Sequence, residues 1–150
     1  MSFTDEEIAY MRSQPLARVA TVSAGGQPDV VPVGFEYDGT HLWIGGIDPG
    51  NTRRAKNIRD GNTKVAVVID DLASIRPWSP RYLRIYGTAE LVERPSLRGL
   101  AQVMKITPTV SWSLNLGGEF SIGSGHRFTP PRKTIHHAGE ASAARLRDQD

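Results

Sequence analysis

Leu16-Ala17-Arg18-Val19-Ala20-Thr21-Val22, Val30-Val31-Pro32-Val33-Gly34-Phe35-Glu36-Tyr37 and His41-Leu42-Trp43-Ile44-Gly45-Gly46 are the stretches whose reading decides the fold. Each is rich in β-branched and aromatic residues and is too short for a stable helix. Ala24-Gly25-Gly26-Gln27-Pro28 and Asp38-Gly39-Thr40 separate them with the chemistry a reversing chain needs, residues that accept positive φ. Three successive strands are therefore expected. On the amino-terminal side, Thr4 and Glu7 form a capping box with Ile8 and Met11 at helical spacing, so 4–13 reads as a helix that Pro15 ends.

On the carboxy-terminal side, Lys64-Val65-Ala66-Val67-Val68-Ile69-Asp70 reads as a buried strand and Tyr82 to Val92 as a long alternating one. Gly87 in its middle marks a bulge or a close backbone approach. Pro95 fits the first turn of a helix, and Leu97, Leu100, Val103 and Met104 give an apolar stripe, so 95–105 is expected to be helical. Thr109 to Leu114 and Lys133 to His137 read as further strands, with a glycine-rich mobile loop over 117–125. One domain over 1–138 is expected, followed by a tail, 139–150, with little to bury and a tendency to fray. Many strands and few helices favour a mainly β, closed or nearly closed antiparallel barrel with peripheral helices, because closure removes sheet edges.

Composition narrows the function classes. The chain has 150 residues, 39 % apolar and 23 % charged, as an ordinary globular domain does, and no apolar run nears the ~20 residues of a membrane span. The acidic first residues carry no basic segment before an apolar one, so no secretory signal is expected. Zero cysteines exclude disulfides and thiolate chemistry and fit a cytoplasmic location. The net charge of +2 gives no reason to expect nucleic acid or membrane partners. Local clustering matters more, and the densest basic cluster runs from Asn51 to Arg59.

That cluster follows Asp48-Pro49-Gly50 and reads as a short helix with Asn51 or Thr52 as N-cap. Arg53, Arg54 and Lys56 beside its amino terminus outline a phosphate site; a solvated basic helix is the plainer alternative. Val31-Pro32-Val33-Gly34-Phe35 combines a residue that cannot donate with one that has no side chain, so something flat could lie there, or the barrel simply has an edge. Arg76-Pro77-Trp78-Ser79-Pro80-Arg81 holds Trp78 between prolines, as a stacking surface for a planar ligand or as a plug for the barrel end. Trp112 has the same two readings. His41, His126 and the pair His136-His137 have no metal-ligand spacing, and no metal is expected. No nucleophile elbow, GxGxxG or Walker sequence occurs, so catalytic residues stay unassigned.

The order of these pieces resembles the pyridoxamine 5′-phosphate oxidase-like split-barrel family, in its actinobacterial deazaflavin-dependent branch. The resemblance covers roughly 1–114 and rests on Leu16 to Val22, Gly26-Gln27-Pro28, Val31 to Phe35, Thr52 to Ile58, Val65 to Asp71, Arg76-Pro77-Trp78, Tyr86 to Glu90 and Ser111-Trp112. It implies a six-stranded antiparallel split barrel with two or three short helices, a homodimer, and cofactor clefts lined by both subunits. The implied cofactor is coenzyme F-420, with FMN as the alternative. Its phosphate would fall to Arg54, Lys56 and Thr52 beside Arg53, its ring to Pro32, Val33 and Gly34 with Trp78, while Asn57 supports the turn. Trp112 and Tyr86 would meet substrate.

The activity implied is hydride transfer between reduced coenzyme F-420 and an unsaturated small organic compound. Such a cofactor carries the hydride, so the missing acid–base triad is expected, and Tyr82, Tyr86 or solvent would give the proton. An FMN-dependent reductase or oxidase, and a flavin, deazaflavin or haem binding protein without turnover, are the alternatives. Single-strand nucleic-acid binding would show steep salt dependence, and the near-neutral charge disfavours it. The chain departs from true pyridoxamine phosphate oxidases in lacking an Arg-Leu-x-Pro ending; Ser113 stands where relatives often have Gly, and 117–125 has no counterpart.

Overall fold

The computed structural model describes residues 2–125 and 127–137, so the expected tail over 139–150 lies outside the described residues. In chain order the elements are α1 (Asp5–Ser13), β1 (Ala17–Val22), β2 (Pro28–Val33), β3 (Glu36–Tyr37), β4 (Leu42–Ile44), a 3-10 turn (Pro49–Asn51), α2 (Arg53–Arg59), β5 (Lys64–Ser74), β6 (Ser79–Ser96), β7 (Gly99–Leu114) and β8 (Arg132–Ile135). All strand pairs are antiparallel, in the order β2-β1-β5-β6-β7-β4-β3, with β8 also paired to β7. The outer strands of this path, β2 and β3, are joined only by Gly34-Phe35. A flat sheet would put them about 29 Å apart, six spacings of ~4.8 Å, whereas two linking residues reach about 10 Å. The sheet has to curl, and the result is a split β-barrel.

Eight strands stand where six were expected. The expected second strand breaks at Gly34-Phe35 into β2 and β3, and the strand read over Lys133 to His137 forms as β8, one more than the six the resemblance implies; the class is the expected one. Inside, Val19, Leu42, Ile44, Val67, Ile69, Leu83, Ile85 and Ile106 are buried, each contributing about 1.5–3 kcal/mol by leaving water. The helix expected over 95–105 is absent: β6 and β7 run through it as one hairpin, pairing Pro95 with Leu100 and Ser96 with Gly99. Spacing alone misled, because Ser96-Leu97-Arg98-Gly99 is a turn sequence. The Ser96 hydroxyl donates to Gly99 O at 2.7 Å and accepts from Arg98 N at 3.2 Å, and Gly99 has φ +95°.

Gly87 is the expected irregularity. The β6–β7 register shifts there, Gly87 facing Pro108 and Tyr86 facing Val110, so Thr109 is an extra residue on β7. A Cβ at Gly87 would come within 2.7 Å of Thr107 O. Below the bulge β7 buries Met104, Ile106 and Pro108; above it Ser111 turns inward.

At the amino terminus, Thr4 and Glu7 complete the expected capping box, with bonds of 2.9 and 3.1 Å. Ile8 and Met11 pack into the core. The Tyr10 hydroxyl donates to Asp71 Oδ1 at 2.8 Å, and Arg81 Nε donates to the same oxygen at 2.9 Å, which fastens α1 across the β5–β6 hairpin. Arg81 hydrogen bonds hold the Asp71 carboxyl below its usual range, outweighing desolvation, and the Tyr10 hydroxyl helps.

Two stability outcomes follow from this packing. Gly87→Ala should cost about 1–3 kcal/mol, read as a lower urea midpoint, since backbone must move to admit one methyl. A carboxyl with a depressed native pKa contributes stability above its unfolded value, near ~3.9, and loses it as pH falls through the native one. Asp71→Asn should therefore be less stable than the parent at pH 7, with the gap narrowing below about pH 4 in parallel unfolding curves.

Candidate functional site

The basic segment folds as expected, with Thr52 as the N-cap. Its hydroxyl accepts from Ala55 N at 3.2 Å and donates to Pro49 O at 2.8 Å, which fixes how α2 leaves the 3-10 turn. The basic side chains then divide. Arg53 is exposed. Lys56 reaches Asp60 at 2.8 Å one turn on, an exposed pair worth only about 0.3–0.5 kcal/mol and readily exchanged for a better anion. Arg54 turns inward and donates from Nη2 to Gly45 O at 2.8 Å. Burial pulls its pKa down and the charge of Asp29 pushes back; the guanidinium stays charged regardless. Asn57 is a buried strut, donating to Thr21 Oγ1 at 2.8 Å.

Beside Arg54 a groove of about 410 Å³ opens where the barrel is split. Gly34, Glu36, Gly46, Trp43 and Arg94 line it. A Cβ at Gly46 would sit 3.2 Å from Arg54 Nη2, whereas one at Gly34 would meet nothing within 4 Å. Arg94 stacks over Trp43 at 4.3 Å from the ring centre, and Trp43 Nε1 donates to Asp38 Oδ2 at 2.9 Å. The groove thus lies between Gly34, just past the end of β2, and Gly45-Gly46, which Arg54 touches from α2, while Pro32 is exposed outside it and Val33 is buried in the core.

The expected aromatic residues lie elsewhere. Cross-strand pairing puts Pro32, Arg18, Val68, Arg84, Trp112 and Lys133 in one row across six strands. Arg84 lies 4.1 Å from the Trp112 ring centre, and Tyr86 meets Trp112 edge to face at 5.0 Å. The neighbouring row, Val30, Ala20, Ala66, Tyr86, Val110 and Ile135, carries no charge, and Val30, Tyr86 and Ile135 are exposed. Pro32 and Trp112 both lie on the outer face, four strands apart on a curled sheet, so they point away from the barrel in different directions and one barrel does not bring them to the same ring. Trp78 is half exposed in the β5–β6 turn, its carbonyl accepting from Ile122 N at 2.8 Å.

Sequence reasoning passed over Arg94, Glu36 and Trp43 at the groove and Arg84 beneath Trp112. For Arg84 the signal was present, since two-residue alternation puts it on the Tyr86 face. Arg94 could not be placed while 95–105 was read as helix. Among the described residues no group of three or more His, Asp or Glu is placed to hold a metal, and no helix is long and apolar enough to cross a membrane.

A family model described as pyridoxamine 5′-phosphate oxidase matches residues 3–116. The chain belongs to the pyridoxamine 5′-phosphate oxidase family. It is 37 % identical over 134 residues to a 5a,11a-dehydrotetracycline/5a,11a-dehydrooxytetracycline reductase of Streptomyces rimosus, covering 82 % of this chain and 90 % of the relative. Two solved structures share the fold: the haem storage protein HutZ of Vibrio cholerae (TM-score 0.56, 17 % identity, 72 % of this chain and 91 % of that one), and an F-420 reductase (TM-score 0.52, 22 % identity, 65 % and 90 %).

Stability should separate the strut from the exposed cations. Asn57→Ala leaves a buried Thr21 hydroxyl without its donor and should cost about 1–3 kcal/mol in urea unfolding. Lys56→Ala, which removes only a surface pair, should cost under about 0.5 kcal/mol.

Proposed function

We propose that this protein is an oxidoreductase that reduces an unsaturated small organic substrate with reduced coenzyme F-420, in clefts completed by a second copy of the chain. Family membership and the reductase relative support the broader reading, an oxidoreductase acting on a small substrate. The observation that carries the finer one is Arg54: a charged, half-buried guanidinium beside a groove whose Gly34 edge is open. An anion there gains from a cation already stripped of much of its water.

Thr52, Arg53, Arg54 and Lys56 would hold the cofactor phosphate, and Pro32, Val33 and Gly34 would lie against its ring. When bound, the cofactor supplies the hydride. The protein's part is orientation and exclusion of water, plus a proton for the carbon next to the one reduced. Tyr82 and Tyr86 face outward on β6, opposite Leu114 and Val110, on the face that carries Trp112. Because Pro32 and Trp112 of one barrel point outward in different directions, Trp112, Tyr86 and Trp78 would come from the partner. The uncharged exposed row Val30 to Ile135 is the surface a homodimer would cover.

Fluorescence titration with coenzyme F-420 and separately with FMN tests this reading. F-420 should bind, and Arg54→Ala and Lys56→Ala should each weaken it, Arg54→Ala by tenfold or more. FMN binding alone would replace the cofactor by a flavin; binding of neither would overturn the redox reading. Sedimentation should give a dimer, and Tyr86→Glu should shift it toward monomer.

A further inference from the structure

The segment after β7 is anchored chiefly through Asn115, with Arg81 Nη1 donating to Leu116 O at 3.2 Å beside it. Asn115 sits at φ +52°, in the left-handed region. Its amide nitrogen donates to Pro80 O at 3.0 Å and Phe120 O at 2.8 Å, and its carbonyl accepts from Phe120 N at 2.8 Å. The buried Ser79 hydroxyl also donates to Phe120 O. The loop so clamped folds over a cavity of about 370 Å³. Its apolar wall is an edge-to-face pair, Phe120 and Phe128, with ring centres 5.3 Å apart, and Phe128 is 54 % exposed. Phe128 thereby presents an exposed aromatic surface at the wall of the cavity.

We propose that this cavity binds the part of the substrate remote from the reacting bond, and that it selects fused-ring molecules carrying hydrogen-bond donors or a positive charge. The inference rests on the oxidoreductase reading for its role in catalysis, and on the cavity for its ligand class. Position comes first. Leu114 lines the cavity and is two residues beyond Trp112 on β7, so the two share one face about 7 Å apart. The backbone of Ile122 bonds that of Trp78 at 2.8 Å, which ties the same loop to the second aromatic expected at the site. A ring system resting on Trp112 therefore continues into the cavity.

Charge and size set the class. Among the described residues that line the cavity, Glu6 and Glu119 are negative and Arg127 is positive, two charges against one. That balance disfavours an anionic cofactor, whose place is the basic segment, and favours donors such as hydroxyl or amine groups. The volume lies at the low end of the ~300–1,000 Å³ of small-molecule sites, room for one ring system.

The test is fluorescence anisotropy of proflavine, a cationic three-ring probe, against anilinonaphthalenesulfonate, an anionic aromatic probe. Proflavine should bind saturably and the anionic probe at least tenfold more weakly. Phe128→Ala should weaken proflavine about tenfold and Glu119→Gln severalfold, with Arg54→Ala leaving it unchanged; both altered cavity residues are at the surface and spare the fold. Absence of proflavine binding, equal binding by the Phe128→Ala and Glu119→Gln variants, or loss on Arg54→Ala alone would overturn the proposal. Failure of both cofactors to bind would sink the redox reading and leave this result standing on its own.

Discussion

The two residues between β2 and β3 constrain the rest of the molecule. Gly34 and Phe35 must join the opposite ends of a seven-strand path, and no flat sheet allows that. Curling brings the ends close without closing the ladder, since no β2–β3 pairing forms among the described residues. The groove opens at this seam, where backbone is free of strand partners, and α2 delivers Arg54 beside it. The opening in the barrel and the candidate anion site have one cause.

A curled sheet of this size also separates its functional surfaces. The groove takes Arg94 from β6 and Val103 from β7, the strands that also carry the Arg84–Tyr86–Trp112 cluster, but eight to ten residues away along them, on the order of 30 Å at ~3.3 Å per residue. In the proposed dimer each barrel would offer two half-sites, and the uncharged row from Val30 to Ile135 runs beside the Arg84–Trp112 row through Tyr86. Within the proposed dimer, burial of that row and completion of the cleft become one event, so stability and activity would share a surface.

Much of this was legible in the chain. The three opening strands, the α1 capping box, Thr52 as a candidate cap and Gly87 as a bulge all depend on neighbours within a few residues, where sequence pattern is informative. The error over 95–105 arose because Leu97, Leu100, Val103 and Met104 satisfy a helical period, whereas long cross-strand pairing decided the outcome. Partner choices were not legible either. Nothing in the order of residues says that Lys56 turns to Asp60, that Arg54 turns to Gly45, or that Asn57 spans to Thr21, since these follow from how distant strands meet. The 117–125 segment could be read only as a glycine-rich loop, because its anchor, Asn115, works through Ser79 and Pro80 from another strand.

Thr109 has a meaning beyond local geometry. As the one residue of β7 left without an opposite number between Pro108 and Val110, it advances the inside–outside alternation by a step. Were Thr109 paired in a regular ladder instead of bulged, Val110, Trp112 and Leu114 would point into the barrel while Ser111 and Ser113 faced water. The chemistry of the outer face is thus encoded as a phase, and the bulge that absorbs one extra residue, whatever its side chain, decides which half of β7 the rest of the world can touch.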